Sequence, residues 1–325
     1  MLLAILQLIS GFILLVWAAD RLVAGASGLA SNYGISPLII GLTIIGFGTS
    51  APEIVVSAVA SLNGNPGLAL GNALGSNITN IGLVVGITTL LYRLKVNSGT
   101  LRREAPVLMI IMILVAALMW DLELQQLDGF ILLGGLITMI IWMVWLGLRS
   151  NNDDALIQEL EAEIPKDMPT KRAIIWTLVG LIALPLSSNI LITGAITIAT
   201  IMQISDTIVG LTILALGTSL PELAACLAAA MKRQDELAIG NILGSNMFNL
   251  LGVLGVAASI QSITFDHIIF NRDVVIMFII TIALFALAIR PSGIKRINRI
   301  GGTLLLVGYL IYLAILIEAA MLGQT

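Results

Sequence analysis

Charge is scarce in this chain of 325 residues: Asp, Glu, Lys and Arg together make up 11% of it, while 58% of the residues are hydrophobic. That balance lies far outside the soluble range and excludes a water-soluble globular fold. Cysteine and histidine are nearly missing. One cysteine, Cys226, excludes an intramolecular disulfide, and one histidine, His267, leaves neither a zinc cluster nor a pair of haem ligands. The net charge is only −3 and the basic residues sit in short loops, so neither a nucleic-acid face nor a polybasic lipid anchor is indicated. Long hydrophilic segments are missing as well; the one candidate, residues 150–170, is too short for a separate domain. No positive segment precedes the first apolar run, so residues 2 to about 24 are expected as a retained span rather than a cleaved leader.

The chain is instead rich in apolar runs of about 20 residues, the length that crosses a bilayer as a helix. Ten such spans begin near Leu2, Ser36, Leu68, Arg103, Leu127, Arg172, Ser205, Leu237, Arg272 and Arg299. They fall into two halves. Residues 41–86 align without a gap on residues 210–255 at a constant offset of 169, with nearly half of the positions identical. Weaker matches at the same offset put Gly25-Ala26 on Gly194-Ala195, Ile35-Ser36 on Ile204-Ser205 and Arg103-Glu104 on Arg272-Asp273. Each half holds five spans, an odd number, so the second must enter the membrane from the opposite face. The expected fold is an all-α polytopic membrane protein of ten transmembrane helices, arranged as two inverted five-helix repeats, 1–149 and 171–325, joined by an acidic loop, 150–170. Such repeats place substrate sites at their interface near the bilayer midplane.

Basic residues test this arrangement independently. Loops after the odd-numbered spans hold Arg21; Arg93, Lys95, Arg102 and Arg103; Arg149, Lys166, Lys171 and Arg172; Lys232 and Arg233; and Arg290, Lys295, Arg296 and Arg299. The other side has only Arg272. The positive-inside rule makes the rich side cytoplasmic, with both termini outside and the acidic loop inside. That loop, with Asp153, Asp154, Glu159, Glu161, Glu163 and Asp167, reads as a solvated connector, a calcium-sensing patch being the alternative.

Two motifs break the apolar pattern, and both occur twice. Gly48 to Glu53 reads Gly-Thr-Ser-Ala-Pro-Glu, and Gly217 to Glu222 reads Gly-Thr-Ser-Leu-Pro-Glu. Proline lacks an N–H and disfavours helical geometry in the residue before it, so spans 2 and 7 should break here and free backbone carbonyls. In hydrocarbon a freed carbonyl needs a partner, and a bound cation is one. Thr49, Ser50, Thr218 and Ser219 add hydroxyls, and Glu53 and Glu222 add carboxylates at mid-depth, where an ionisable residue costs roughly 2.5 to 3.5 kcal/mol and is kept for use. The second motif, Gly-Asn-x-x-Gly-Ser-Asn-x-x-Asn, runs from Gly71 to Asn80 and from Gly240 to Asn249. Helical spacing gives one polar stripe of Asn72, Ser76 and Asn80, another of Asn241, Ser245 and Asn249, and smooth stripes of Gly71 with Gly75 and Gly240 with Gly244. Ser76, Asn80, Ser245 and Asn249 are expected to coordinate ions; Asn72, Asn77, Asn241 and Asn246 are expected as interhelical hydrogen-bond glue. The donor set is hard oxygen throughout, which suits calcium, sodium or protons rather than zinc or copper. Two close carboxylates resist being ionised together without a cation, so protons should compete with the metal ion.

Other residues carry less. Asp20 and Arg21 are expected as an interfacial pair at the end of span 1, Cys226 as packing at the repeat position of Ser57, and His267 as a loop residue without a role. Trp120, Trp142, Trp145 and Tyr92 lie near span ends or in lipid-facing runs, as aromatic belts do.

The doubled motifs together resemble the paired alpha repeats of the calcium/cation antiporter superfamily, in particular its prokaryotic sodium/calcium exchanger-like branch, and the resemblance covers the whole chain. It implies that a central calcium is held by Glu53 and Glu222 with the carbonyls of Thr49 and Thr218. It implies sodium-site oxygens from Ser50, Ser76 and the carbonyl of Gly46 on one side, and from Ser219, Ser245 and the carbonyl of Ala215 on the other. Asn80 and Asn249 would line the middle, and spans 1 and 6 would slide against the core. Some members, including potassium-dependent exchangers, carry Asp where this chain has Asn249, which disfavours potassium dependence. The cation/proton branch has its glutamates in a different local motif, which favours sodium coupling.

The expected function is therefore a secondary antiporter that exports calcium across the cell membrane in exchange for sodium by alternating access. It is expected to work as a monomer in the bilayer, without a cofactor and without nucleic acid. Calcium/proton exchange is the alternative within the class. A cation channel would need a continuous pore, usually built by several subunits. An intramembrane enzyme is disfavoured because Ser50 and Ser219 have no histidine or lysine base at their depth.

Overall fold

The computed structural model describes residues 1–40, 43, 44, 46–96, 98–149, 165, 168–288 and 296–321. The expectations placed on the acidic loop therefore lie outside the described residues. Among those that are described, eight helices are long and apolar enough to cross a bilayer. In chain order the spans are α1 (Leu2–Asn32), α2 (residues 37–62, in the pieces Pro37–Ile40, Gly46–Gly48 and Ala51–Leu62), α3 (Pro66–Leu91), α4 (Ser98–Leu118) and α5 (Gln126–Arg149). The second half gives α6 (Thr170–Met202), α7 (Asp206–Met231), α8 (Asp235–Ile260), α9 (Ile269–Ala288) and α10 (Arg299–Met321). Each begins within a few residues of the start read from the sequence. One difference is α1, which runs on to Asn32 rather than ending near residue 24, so Asp20 and Arg21 lie inside a helix. They pair there at 3.4 Å, and the Arg21 guanidinium also covers the ring of Trp176 on α6 at 4.8 Å, which shields this part of α1 without a loop.

Local chemistry sets the spans' ends. Pro52 and Pro66 sit in first helical turns, where a missing N–H costs nothing, and Ser205 Oγ caps α7 by accepting from the Ile208 N–H at 3.3 Å. The turns between α1 and α2 and between α2 and α3 use left-handed backbone at Gly34 and Gly64; the matching turns of the second half keep that backbone at Gln203 and Arg233, 169 residues on. The same symmetry runs through two short antiparallel ladders. Strand β1 (Leu94–Lys95), after α3, pairs with β4 (Arg296–Ile297), before α10; β2 (Glu123–Leu124), before α5, pairs with β3 (Ile263–Thr264), after α8. The loops after α3 and α9 thus meet at one end of the molecule, the basic end, and those after α4 and α8 meet at the other. That is the inverted five-and-five topology.

Helices α3 and α8 are the most enclosed of the spans and form the centre with α2 and α7. Long, antiparallel α1 and α6 pack on each other beside them through glycines at symmetric positions. A Cβ on Gly11 would stand 2.8 Å from Leu191 Cα and one on Gly180 2.7 Å from Leu22 Cα, and both pairs are related by the offset of 169. Small residues let membrane helices approach backbone to backbone. Helix α1 also abuts both breaks, with Val23 against Gly48 and Phe12 against Gly217.

Candidate cation site

The two proline motifs interrupt their spans as expected. In α2 the helical piece Gly46–Gly48 ends, Thr49 and Ser50 form a turn, and a new helix starts at Ala51; in α7 the backbone leaves helical geometry at Ser219 before Leu220–Met231. The two breaks differ in detail. The Ser50 N–H donates to the Phe47 carbonyl, whereas the Ser219 N–H donates to the Ala215 carbonyl, which keeps its second lone pair. Asn80 and Asn249 each open a π-helical segment, Asn80–Val85 and Asn249–Val253, a widened turn that is frequent at functional sites. The sequence pattern gave no sign of these.

The expected site residues lie on the four central spans: Gly46, Thr49, Ser50 and Glu53 on α2, Ser76 and Asn80 on α3, Ala215, Thr218, Ser219 and Glu222 on α7, and Ser245 and Asn249 on α8. The half-sites face each other across the repeat. Thr49 Oγ1 lies 3.3 Å from Ser245 Oγ, and the symmetric pair, Thr218 Oγ1 and Ser76 Oγ, lies 3.5 Å apart. Glu53 and Glu222 are fully buried and close enough to repel each other, with the Thr218 hydroxyl facing the first and the Ser245 hydroxyl the second. Neither glutamate has a basic partner among the described residues, whose salt bridges are Asp20–Arg21 and Asp273–Arg272.

Buried polar atoms are almost always hydrogen-bonded. Here all four carboxylate oxygens of Glu53 and Glu222, the hydroxyls of Ser50 and Ser219, Oδ1 of Asn80 and both side-chain polar atoms of Asn249 are buried without a protein partner. Elsewhere among the described residues such hydroxyls occur singly, at Ser27, Ser61 and Thr88 on three different spans. Among the described residues no group of three His, Cys, Asp or Glu side chains could hold a metal, so the site offers two carboxylates, hydroxyls, amide oxygens and carbonyls. That is the donor chemistry of calcium and sodium, not of a thiolate or imidazole site.

The interhelical glue expected of four asparagine side chains holds for two, Asn72 and Asn246. Asn246 donates to the Asn77 carbonyl at 3.4 Å and accepts from Asn80 Nδ2 at 3.1 Å, Asn77 also donates to its own helix at the Ala73 carbonyl, and Asn72 ties α3 to α2 and α7. Asn241 makes no hydrogen bond among the described residues. The sequence reading also passed over Asp273, which is fully buried and accepts from Arg272 at 2.9 and 3.0 Å and from the Tyr312 hydroxyl at 2.9 Å, joining α9 to α10. The signal was present: Arg272-Asp273 falls on Arg103-Glu104 at the repeat offset.

Comparison with known proteins agrees with this fold. The family described as sodium/calcium exchanger protein matches residues 3–148 and 172–318. The provisionally named antiporter CaxA of Alkalimonas amylolytica is 46% identical over 312 residues, 96% of this chain and 98% of its own. Sodium/calcium exchanger MaX1 of Methanosarcina acetivorans is 30% identical over 353 residues, covering 96% of this chain and 97% of its own. A solved structure of the sodium-calcium exchanger NCX_Mj, soaked with sodium and calcium, superposes with a TM-score of 0.64 at 30% identity, covering 96% of this chain and 98% of that one. The chain belongs to the sodium/calcium exchanger protein family, a family of membrane transporters and not of enzymes.

Proposed function

We propose that this protein exports calcium from the cytoplasm in exchange for sodium by alternating access. The observation that carries the reading is the convergence of Glu53 and Glu222, one from each repeat, in a buried cluster of partnerless oxygens. Two carboxylates match one divalent cation or the sodium ions that replace it. Without either, two like charges face each other in a low-dielectric interior, so the empty site should not change sides easily, and flux in one direction requires an ion in the other. In this reading Glu53, Glu222 and the carbonyls of Thr49 and Thr218 hold calcium. Ser50, Ser76 and the Gly46 carbonyl serve sodium on one side, Ser219, Ser245 and the Ala215 carbonyl on the other, and Asn80 and Asn249 line the centre. The basic end faces the cytoplasm, the five-helix halves 1–149 and 171–325 flank the site, and one chain suffices. The names of MaX1 and NCX_Mj support sodium as the coupling ion; the uncompensated carboxylate pair favours protons as the second reading.

Calcium uptake into proteoliposomes separates the two. Under an outward sodium gradient uptake is fast and saturable, and under an outward proton gradient alone it stays at the level of empty liposomes. Uptake driven by protons alone overturns sodium coupling and leaves the site intact; uptake without any opposing ion overturns exchange itself.

A further inference from the structure

The two repeats carry the same second motif but are closed unequally. On α3 the face made by Leu68, Gly71, Asn72 and Gly75 is buried against the first half of α7, where a Cβ on Gly71 would stand 2.2 Å from the Thr207 carbonyl oxygen. The matching face of α8, Leu237, Gly240, Asn241 and Gly244, is partly exposed, and among the described residues nothing lies within 4 Å of a Cβ built on Gly244. Gly46 and Thr49 are partly exposed too, whereas their mates Ala215 and Thr218 are buried. The open face begins at the basic end, where Asp235 at the start of α8 accepts from the Lys95 N–H of β1 at 3.1 Å.

Asn72 sits at the seam of the closed end. Its Oδ1 accepts from the Thr218 hydroxyl at 3.1 Å, while its Nδ2 donates to Ser57 Oγ at 3.2 Å and to the Glu53 carbonyl at 3.5 Å. Ser57 thereby fixes which way the carboxamide points. In the second repeat Cys226 stands where Ser57 does; its thiol is directed 3.8 Å from the Ala238 carbonyl, and the Asn241 Nδ2 is buried without a partner. Sulfur is a weak hydrogen-bonding atom, so it does not replace the hydroxyl.

We propose that Asn72 and Asn241 are positioning residues that close the two ends in turn. Thr218 donates to Asn72 when the far end is shut, and Thr49 donates to Asn241 when the basic end is shut. Because Cys226 supplies no hydroxyl, the Asn241 carboxamide is not held for Thr49, and the ion-free protein rests open at the basic end. The proposal concerns exposure of the site and not the identity of the ion, so it can fail while the exchange reading stands.

Cys226 is the chain's one cysteine, so Cys226→Ala and Cys226→Ser each give a thiol-free background. A Leu237→Cys reporter on each is labelled with a water-soluble maleimide in detergent, without sodium or calcium. In the alanine background labelling is fast. In the serine background it slows about three- to tenfold, the worth of one restored hydrogen bond, and adding Asn241→Ala brings the fast rate back. Equal rates in the two backgrounds, or a slow rate that survives Asn241→Ala, overturn the proposal. A Leu68→Cys reporter in the alanine background checks the other latch: it is shielded until Asn72→Ala is added, and a reporter that stays shielded then contradicts the role given to Asn72.

Discussion

Calcium uptake falls at least about 100-fold in proteoliposomes carrying Glu53→Gln or Glu222→Gln, because removing one partner of a buried charge pair costs about 3 kcal/mol or more. Glutamine keeps the shape and one carbonyl oxygen of the side chain but removes its charge. A divalent cation would then face a single carboxylate at a depth where water does not compensate. The two variants should be equally impaired, since the glutamates are repeat-mates, both fully buried and both without a basic partner among the described residues. Glu318→Gln, at an exposed position of α10, is the control and leaves uptake unchanged. Parent-like uptake in either site variant would separate that glutamate from transport.

The second large effect is on folding. Gly71→Leu puts a side chain where even a Cβ would stand 2.2 Å from the Thr207 carbonyl oxygen and 2.7 Å from the Leu211 nitrogen, both backbone atoms that cannot move aside alone. Helices α3 and α7 must then separate, at a cost of about 3 kcal/mol. Gly308→Leu on α10, where nothing lies within 4 Å among the described residues, changes stability by no more than about 0.5 kcal/mol. Thermal unfolding of the purified protein in detergent checks the pair: Gly71→Leu melts well below the parent or fails to yield folded protein, and Gly308→Leu melts with it. A Gly71→Leu protein as stable as the parent would mean that the α3–α7 contact is not a tight one.

What was legible in the sequence is what short-range chemistry dictates. Proline without an N–H marks the breaks before Glu53 and Glu222, a constant offset marks the halves, and the placement of Lys and Arg marks the two ends. The pairing of Thr49 with Ser245 and of Thr218 with Ser76 follows from these, because a duplicated motif on inverted halves brings its copies face to face. What was not legible depends on partners far along the chain. Asn72 meets Thr218 146 residues away, and Asp273 meets Tyr312 39 residues away. Helix α1 continues past Arg21, whose side chain meets Trp176 of the other half. The inequality of the two ends was hidden most thoroughly: both copies of the second motif read alike, and the serine-to-cysteine difference that distinguishes them, Ser57 against Cys226, lies outside it.

The central claim is that the two half-sites make one site. Titrating calcium into the purified, sodium-free protein by calorimetry tests it most directly. One calcium bound per chain, displaced by sodium and lost in Glu53→Gln and in Glu222→Gln alike, is the result predicted here. Two calcium ions per chain, with each single variant keeping one of them, would show two independent half-sites and contradict the account.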